Sequence, residues 1–394
     1  MTGRREWVAY VGPIRYPWGE AASRRVDGIT RSLATAGHRV VVGSGQHAPA
    51  VLTELGDVEG SGSVAHVGLG ELPSGGETLL AKSVQVLLRW GRRTVAWLDA
   101  QPQKPSHVIL YGGGTPYAVH LRRWCRDNHV PLVVDVVEWY SPRQFAGGAV
   151  GPFYLGAQLA LRHHYPRCAG VIAISRHLEE SYRSRGSRVV RVPPTLDVRG
   201  IAVSDRSATA DRTTLLYAGS PGKKDLLAEI IAAVDRTSRA GGDLTLQVLG
   251  PSPDEVRRLL RAEPPESVQV LGRVPQQDVS RAVREADFTV LLRPPARYAQ
   301  AGFPTKFCES LANGTPVIAN LTSDLELHLH DGVEGIVCLD PSVDALAGAL
   351  RRAVALTGEE RATMRKAARE QALDSFDFRA HAVPLAQFLA TLQP

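Results

Sequence analysis

The stretch AGFPTKFCESLANGTPVIAN, Ala301 to Asn320, reads as a helix that runs into a strand. Pro304 suits the first helical position, where its missing N–H would go unpaired anyway, and Gly314 suits the stop. The pattern therefore predicts a helix over Thr305 to Asn313 and a strand over Pro316 to Ala319. A helix N-terminus presents N–H groups and roughly half a positive charge, which favours an anion such as phosphate. Lys306 adds a full charge at that end, and Glu309 stands one turn further in, placed to reach something attached to the anion. A phosphate followed by a diol, as in a nucleotide, fits both residues. An ordinary capped helix with both side chains in water fits the stretch as well.

Outward from this helix the same alternation recurs. TTLLYAGS, LTLQVLG, VQVLG, DFTVLL, TPVIAN and GIVCL are short apolar runs, each followed by a helical pattern, which predicts a parallel α/β domain over 213–375. A first domain of the same class, 1–192, follows from the runs Trp7 to Val11, Val40 to Val42, His107 to Tyr111, Leu132 to Val137 and Gly170 to Ile174. Between them, 193–212 is polar and proline-rich and reads as a linker. The segment 376–394 is helical in pattern and is expected to fold back on the first domain. At 394 residues the chain suits two domains, each with its own core, with a cleft expected between them.

Four scattered cysteines, Cys125, Cys168, Cys308 and Cys338, form no CxxC pair, which argues against a disulfide framework or a zinc site and for a reducing compartment. The net charge of +6 comes from arginines spread along the chain, so anion handling or membrane-surface attraction is favoured over nucleic acid. The opening MTGRREWVAYVGPI is broken by Gly12 and Pro13 and is not expected to be a signal peptide. No later run reaches the ~18 apolar residues of a membrane span.

In open parallel sheets ligands bind beyond the carboxyl ends of the strands. After LLYAG comes SPGKKD, where Gly219 and Gly222 permit close backbone approach and Lys223 or Lys224 supplies charge. Arg273 and Val274 follow VQVLG. Phe303 and Thr305 lie in the stretch after DFTVLLR, and YPWGEAASRR places Gly19 at a helix entrance in the first domain. Solvated lysines explain Lys223 and Lys224 equally simply when each is taken alone.

YAGSPGKKDLL, VLGRVP, GFPTKFCESLANGTPVIA and the weaker GEAASRRVDGITRSLATAGHRVVVG together resemble the GT-B glycosyltransferases of family 4, over nearly the whole chain. The resemblance implies two Rossmann-like domains with parallel sheets facing across a cleft. It implies a retaining, cytoplasmic, bacterial-like enzyme that moves a sugar from a nucleoside-diphosphate sugar to a hydroxyl of a carbohydrate, lipid-linked or small-molecule acceptor. By the same resemblance Thr305, Lys306, Lys223 and Lys224 meet the diphosphate, Glu309 the ribose, and Arg273 with Val274 the base. The sequence departs from the family at Ala301, where the first of two glutamates stands, and at Ser220, where an arginine is usual. Gln300, or the N–H groups of Gly302 and Phe303, are the expected replacements for the lost glutamate.

Fixed positive groups aimed at the departing diphosphate supply most of such a reaction. Lys224, Lys223 and the Thr305 helix end are expected to do this with no metal and no cofactor. LVVDVVEWYSP ends a strand with Asp135 and Glu138, and Glu138 lies near the position of a family histidine beside the transferred sugar. Glu138 is therefore expected to contact the acceptor hydroxyl or the sugar, with Tyr16, Arg24, Trp139 and Tyr140 on the acceptor side; a strand-end carboxylate paired with arginine is the plainer alternative. A nucleotide-sugar epimerase of similar architecture and a non-catalytic sugar-nucleotide-binding chain also remain open.

Three further patterns carry less. SDLELHLHD sets Asp324, Glu326, His328 and His330 at alternate positions, a metal-rich face if the segment is a strand and a solvated one otherwise. YGGGTPY lacks the third glycine of a dinucleotide fingerprint, having Tyr117 there. In SVQVLLRWGRRTVAWL, Val84, Leu87, Leu88, Gly91, Val95 and Leu98 stripe one helical face, which favours packing on the sheet over membrane contact at the inner face of a bilayer.

Overall fold

The computed structural model describes residues 7–17, 21–47, 52–57, 62–73, 83–145, 147–203, 212–219 and 225–394. The chain divides into two compact units, Met1–Leu196 with Phe378–Pro394, and Asp197–Asp377. Each holds one sheet.

In the first unit the strands lie in the order β3 (Thr53–Asp57), β4 (Ser63–Gly68), β2 (Arg39–Ser44), β1 (Trp7–Val11), β5 (His107–Tyr111), β6 (Leu132–Val136), β7 (Gly170–Ala173) and β8 (Val189–Arg191). All neighbours are parallel except β3 and β4, so the expectation of a wholly parallel sheet fails at this edge. The polar sequence of β3, TELGD, explains why an apolar-run search passes over it. Val8 and Tyr10 alternate into one core with Ile29 and Leu33 of the helix Ala21–Thr35. The last residues form a tight turn, Phe378–His381, and the helix Ala382–Ala390, whose Phe378, Leu385 and Leu389 enter the same core. His107 Nε2 meets the Leu389 carbonyl at 3.0 Å.

In the second unit the order is β11 (Val268–Gly272), β10 (Leu244–Leu249), β9 (Thr213–Ala218), β12 (Phe288–Leu291), β13 (Val317–Asn320) and β14 (Gly335–Cys338), parallel throughout. Strand order reverses between β9 and β12, and at such a switch point the loops diverge to opposite faces and leave a crevice at the strand ends. Leu215 and Tyr217 pack with Ile230, Val234 and Phe288, while Leu216 between them faces Val283 and Ala286, the period-two alternation of a sheet buried on both sides.

The helix that opened the sequence reading spans Thr305–Ala312, with Pro304 as its cap and Gly314 at φ 67° behind it, a left-handed conformation that glycine adopts without penalty. The strand after it is Val317–Asn320, one residue later than expected. The stripe over SVQVLLRWGRRTVAWL is not one helix. Gly91, at φ 90°, separates a π-turn, Gln85–Arg89, from the helix Arg92–Asp99, so that Leu98 is buried while Leu88 faces out. Among the described residues no helix is long and apolar enough to cross a membrane.

Candidate functional site

The Thr305–Ala312 helix leaves three residues partly exposed, Thr305, Lys306 and Glu309, and buries the other five. Those three are the residues that the sequence reading assigned to an anion and its attached diol. Lys306 stands in the first helical turn, where the positive end of the peptide dipoles disfavours a cation. Asp225 offsets that cost. Lys306 Nζ donates to Asp225 Oδ2 at 2.5 Å and to the Tyr217 hydroxyl at 3.2 Å, and lies 4.3 Å from the Tyr217 ring centroid. Tyr217 donates in turn to Asp225 Oδ2 at 2.9 Å. Arg293 Nε approaches the other oxygen, Asp225 Oδ1, at 3.9 Å.

Local sequence explains how these four meet. Tyr217 is the penultimate residue of β9, Asp225 precedes the helix Leu227–Arg239, Arg293 follows β12, and Lys306 stands in the first turn of the Thr305–Ala312 helix. All lie at the carboxyl ends of the two strands that flank the switch point. Arg293 is fixed through its backbone: its N–H donates to Asn320 Oδ1, and Asn320 Nδ2 donates to its carbonyl, both at 2.9 Å. Gly219 stands at φ 140°, a conformation L side chains rarely adopt, and a Cβ there would displace the end of the Lys306 side chain, 2.3 Å from Cε. Burial beside Asp225 pushes the Tyr217 hydroxyl far above the usual tyrosine range, so it remains a proton donor to the carboxylate. An ammonium has three N–H donors. Among the described residues Asp225 and Tyr217 take two, and the Lys306 side chain is 31 % exposed.

Asp225, Tyr217 and Arg293 were missed by the sequence reading. Their signals were slight: a tyrosine just before the strand-end glycine, an aspartate after two lysines, and an arginine directly after an apolar run. The helix after this loop begins at Leu227, and the Asp225 carboxylate ahead of it turns toward Lys306. Ser220, Gly222, Lys223 and Lys224, and Gly19 in the first unit, lie outside the described residues.

The remaining second-unit candidates separate. Arg273 is exposed and Val274 half-buried beyond β11, where Val274 packs against the Leu216 and Leu249 cluster. The Phe303 ring is buried against Phe307, His328 and Phe376, so its side chain belongs to the core, and it reaches a ligand only through its backbone. Gly302 is buried beside it. Gln300 Oε1 accepts the Ser323 N–H at 2.8 Å, which commits that oxygen to the protein. The His and Asp pattern at 324–330 is a tight turn, Leu325–Leu327, not a strand. His328 accepts from Gln371 Nε2 at 3.1 Å and packs on Phe376, while His330 pairs with Glu334. No cluster that could hold a metal occurs among the described residues.

In the first unit Asp135 is committed to Arg25, whose Nη2 lies 2.9 Å from Oδ1, and to the Tyr10 hydroxyl at 2.6 Å. Glu138, two residues past β6, is half-buried, and its charge helps burial raise the Tyr140 hydroxyl's pKa. Tyr140 is half-buried against Phe145. Arg24 is exposed. Two acceptor-side expectations need correction. Tyr16 has no exposed surface and its hydroxyl donates to Asp27 Oδ1 at 3.2 Å, so it is a core residue. Trp139 is 5 % exposed beneath the guanidinium groups of Arg162 and Arg185, at 5.6 and 5.7 Å from its ring, which cover the face an acceptor would need.

Comparison with known proteins accords with this geometry. Residues 204–371 match the family model described as glycosyl transferases group 1. The fold is GT-B. It is similar to sucrose-phosphate synthase from Thermosynechococcus elongatus, with a TM-score of 0.70 and 16% identity over 98% of both chains. It is also similar to Anabaena HepE in complex with UDP and glucose, with a TM-score of 0.67 and 17% identity over 98% of this chain and 100% of that one. The trehalose-6-phosphate synthase OtsA aligns at a TM-score of 0.67 and 11% identity over 98% and 99%. No curated protein matches the chain by sequence.

Proposed function

We propose that the chain is a retaining, metal-independent glycosyltransferase that moves a sugar from a nucleoside-diphosphate sugar to the hydroxyl of a carbohydrate, lipid-linked or small-molecule acceptor. The observation that carries this reading is the outward-facing Lys306, held by Asp225 and Tyr217 at the head of a helix whose other exposed residues are Thr305 and Glu309. The second-unit match to glycosyl transferases group 1, and the UDP and glucose bound by the Anabaena relative, support a nucleotide-sugar donor.

In this reading the Thr305 helix end and the third Lys306 N–H receive the diphosphate, and Glu309 holds the ribose hydroxyls. As the sugar leaves, negative charge grows on the diphosphate, and groups already oriented toward it stabilise that charge without reorganising. Lys223 and Lys224 add to this, with Lys224 assigned to the leaving group. Gly302 and Phe303 contribute backbone N–H groups, Arg273 and Val274 flank the base, and Glu138 with Tyr140 and Arg24 meets the acceptor.

A thermal-shift panel of nucleotide sugars identifies the donor, because a ligand that binds only the native state raises its stability. Turnover is then followed with that donor. Release of the nucleoside diphosphate supports the reading, interconversion of free sugar nucleotides indicates an epimerase, and binding without turnover indicates a non-catalytic chain. With an acceptor in hand, Lys224→Ala lowers kcat about 10- to 150-fold while Lys223→Ala does less, given ~1.5–3 kcal/mol for a charge-assisted hydrogen bond. Equal, near wild-type kcat in both variants removes this loop from the chemistry.

A further inference from the structure

Two touching segments of the first unit turn apolar side chains outward. In the helix Pro152–Leu159, Leu155 is 53 % exposed and Leu159 47 %, while Ala157 and Gln158 are buried. This reverses the usual amphipathic order, in which leucines face the core and glutamine faces water. Val150, just ahead of the helix, is 83 % exposed, and Leu88 of the adjoining Gln85–Arg89 turn is 62 % exposed. The inner side is firmly held. Gln158 Nε2 donates to the Tyr140 carbonyl at 3.4 Å, and Phe145 packs between Tyr140 and Tyr154.

The charge pattern of the same segments is one-sided. The 40 residues from Trp139 to Leu178 contain no Asp or Glu, although 40 acids in 394 residues would place about four in such a window. They carry Arg143, Arg162, Arg167 and Arg176 instead. Ser83 to Leu98 is likewise free of acids and carries Arg89, Arg92 and Arg93. Arg89, Arg143, Arg162 and Arg167 are exposed, while Arg92 lines a cavity with Asp99 and Asp127 and lies outside this acid-free face.

We propose that this face docks on an anionic lipid surface, with Val150, Leu155, Leu159 and Leu88 entering the headgroup boundary and the arginines meeting lipid phosphates. Exposed leucines flanked by arginines without acids are the composition that anionic bilayers bind, through apolar burial and attraction acting together. A second copy of this chain suits the face less well, since it would bring a like-charged surface against these arginines.

The test does not depend on sugar transfer. The full chain is sedimented with vesicles of phosphatidylglycerol and phosphatidylethanolamine, and with vesicles of phosphatidylcholine alone. Binding to the anionic vesicles at least tenfold stronger than to the neutral ones is expected, and it weakens in ~0.5 M salt as screening shortens. The double variant Leu155→Ser with Leu159→Ser binds at least tenfold more weakly at an unchanged unfolding temperature, and Arg143→Gln about fivefold more weakly. No sedimentation with anionic vesicles overturns the proposal, as does wild-type binding by either variant. Self-association in the absence of lipid that the serine variant abolishes also overturns it, because the face then belongs to a second copy.

Discussion

Each unit brings a tyrosine, an aspartate and a cation together near strand ends, though on different elements, and the two clusters differ in how far the cation is exposed. In the first, Tyr10, penultimate in β1, and Arg25 hold Asp135; in the second, Tyr217, penultimate in β9, and Lys306 hold Asp225. Arg25 offers a ligand no accessible donor, because its guanidinium is buried among its partners. Its Nε and Nη2 bind Asp135, its Nη1 reaches the carbonyls of Val192 and Pro193 at 2.7 Å, and its side chain is 3 % exposed. Lys306 is 31 % exposed, and among the described residues only two of its three N–H groups are taken, by Asp225 and Tyr217. The closed cluster ties β1, β6 and the Ala21–Thr35 helix to the chain beyond β8. In the proposed function, the open one holds a cation in place for the diphosphate.

Stability separates them most strongly. Removing one partner of a fully buried pair leaves the other charge uncompensated, so Asp135→Asn should cost ~3–5 kcal/mol, read as a lowered denaturant midpoint. Asp225→Asn should cost less, because water reaches Lys306, although the buried Arg293 loses its neighbouring charge. Equal losses in the two variants would erase the distinction.

Ligand affinity comes next. A carboxylate that receives two ribose hydroxyls loses ~1.5–3 kcal/mol on neutralisation, so Glu309→Gln should weaken nucleoside-diphosphate binding roughly tenfold or more, measured by calorimetry, with little change in stability. Unchanged affinity takes Glu309 out of the site. A smaller effect tests the open cluster itself. Asp225→Asn keeps an acceptor for Lys306 but loses its charge, the difference between a charged and a neutral hydrogen bond, ~1 kcal/mol or about fivefold in kcat. A change in KM alone would mean that Asp225 does not act through the transition state. Least of all should follow from chelation: turnover in EDTA is expected to match turnover without it, and loss restored by Mg²⁺ or Mn²⁺ would assign the diphosphate's neutralisation to a metal.

What the sequence made legible follows from how local each signal is. Strands β1 and β5 were read to the residue, and the Thr305 helix to within one, because apolar runs, proline and glycine act over a few positions. Strands β3, β4 and β8 passed unseen, since β3 is polar, the apolar run of β4 is interrupted by His66 and β8 is only three residues long. That Lys306 and Glu309 face out together was legible because both sit on one helix. Asp225 was not, since its role depends on a lysine 81 residues away meeting it across the switch point. Tyr16 and Trp139 misled for the same reason: an aromatic near a strand end has the same local sequence whether it walls a site or fills a core.

The most direct test compares wild type with Lys306→Ala in a calorimetric titration of the nucleoside diphosphate that the thermal-shift panel selects. The account predicts affinity about 10- to 150-fold weaker in the variant, the loss of one charge-assisted contact, at a stability near wild type. Equal affinity in the two proteins would show that the open N–H of Lys306 meets no diphosphate, and that the second cluster is structural like the first.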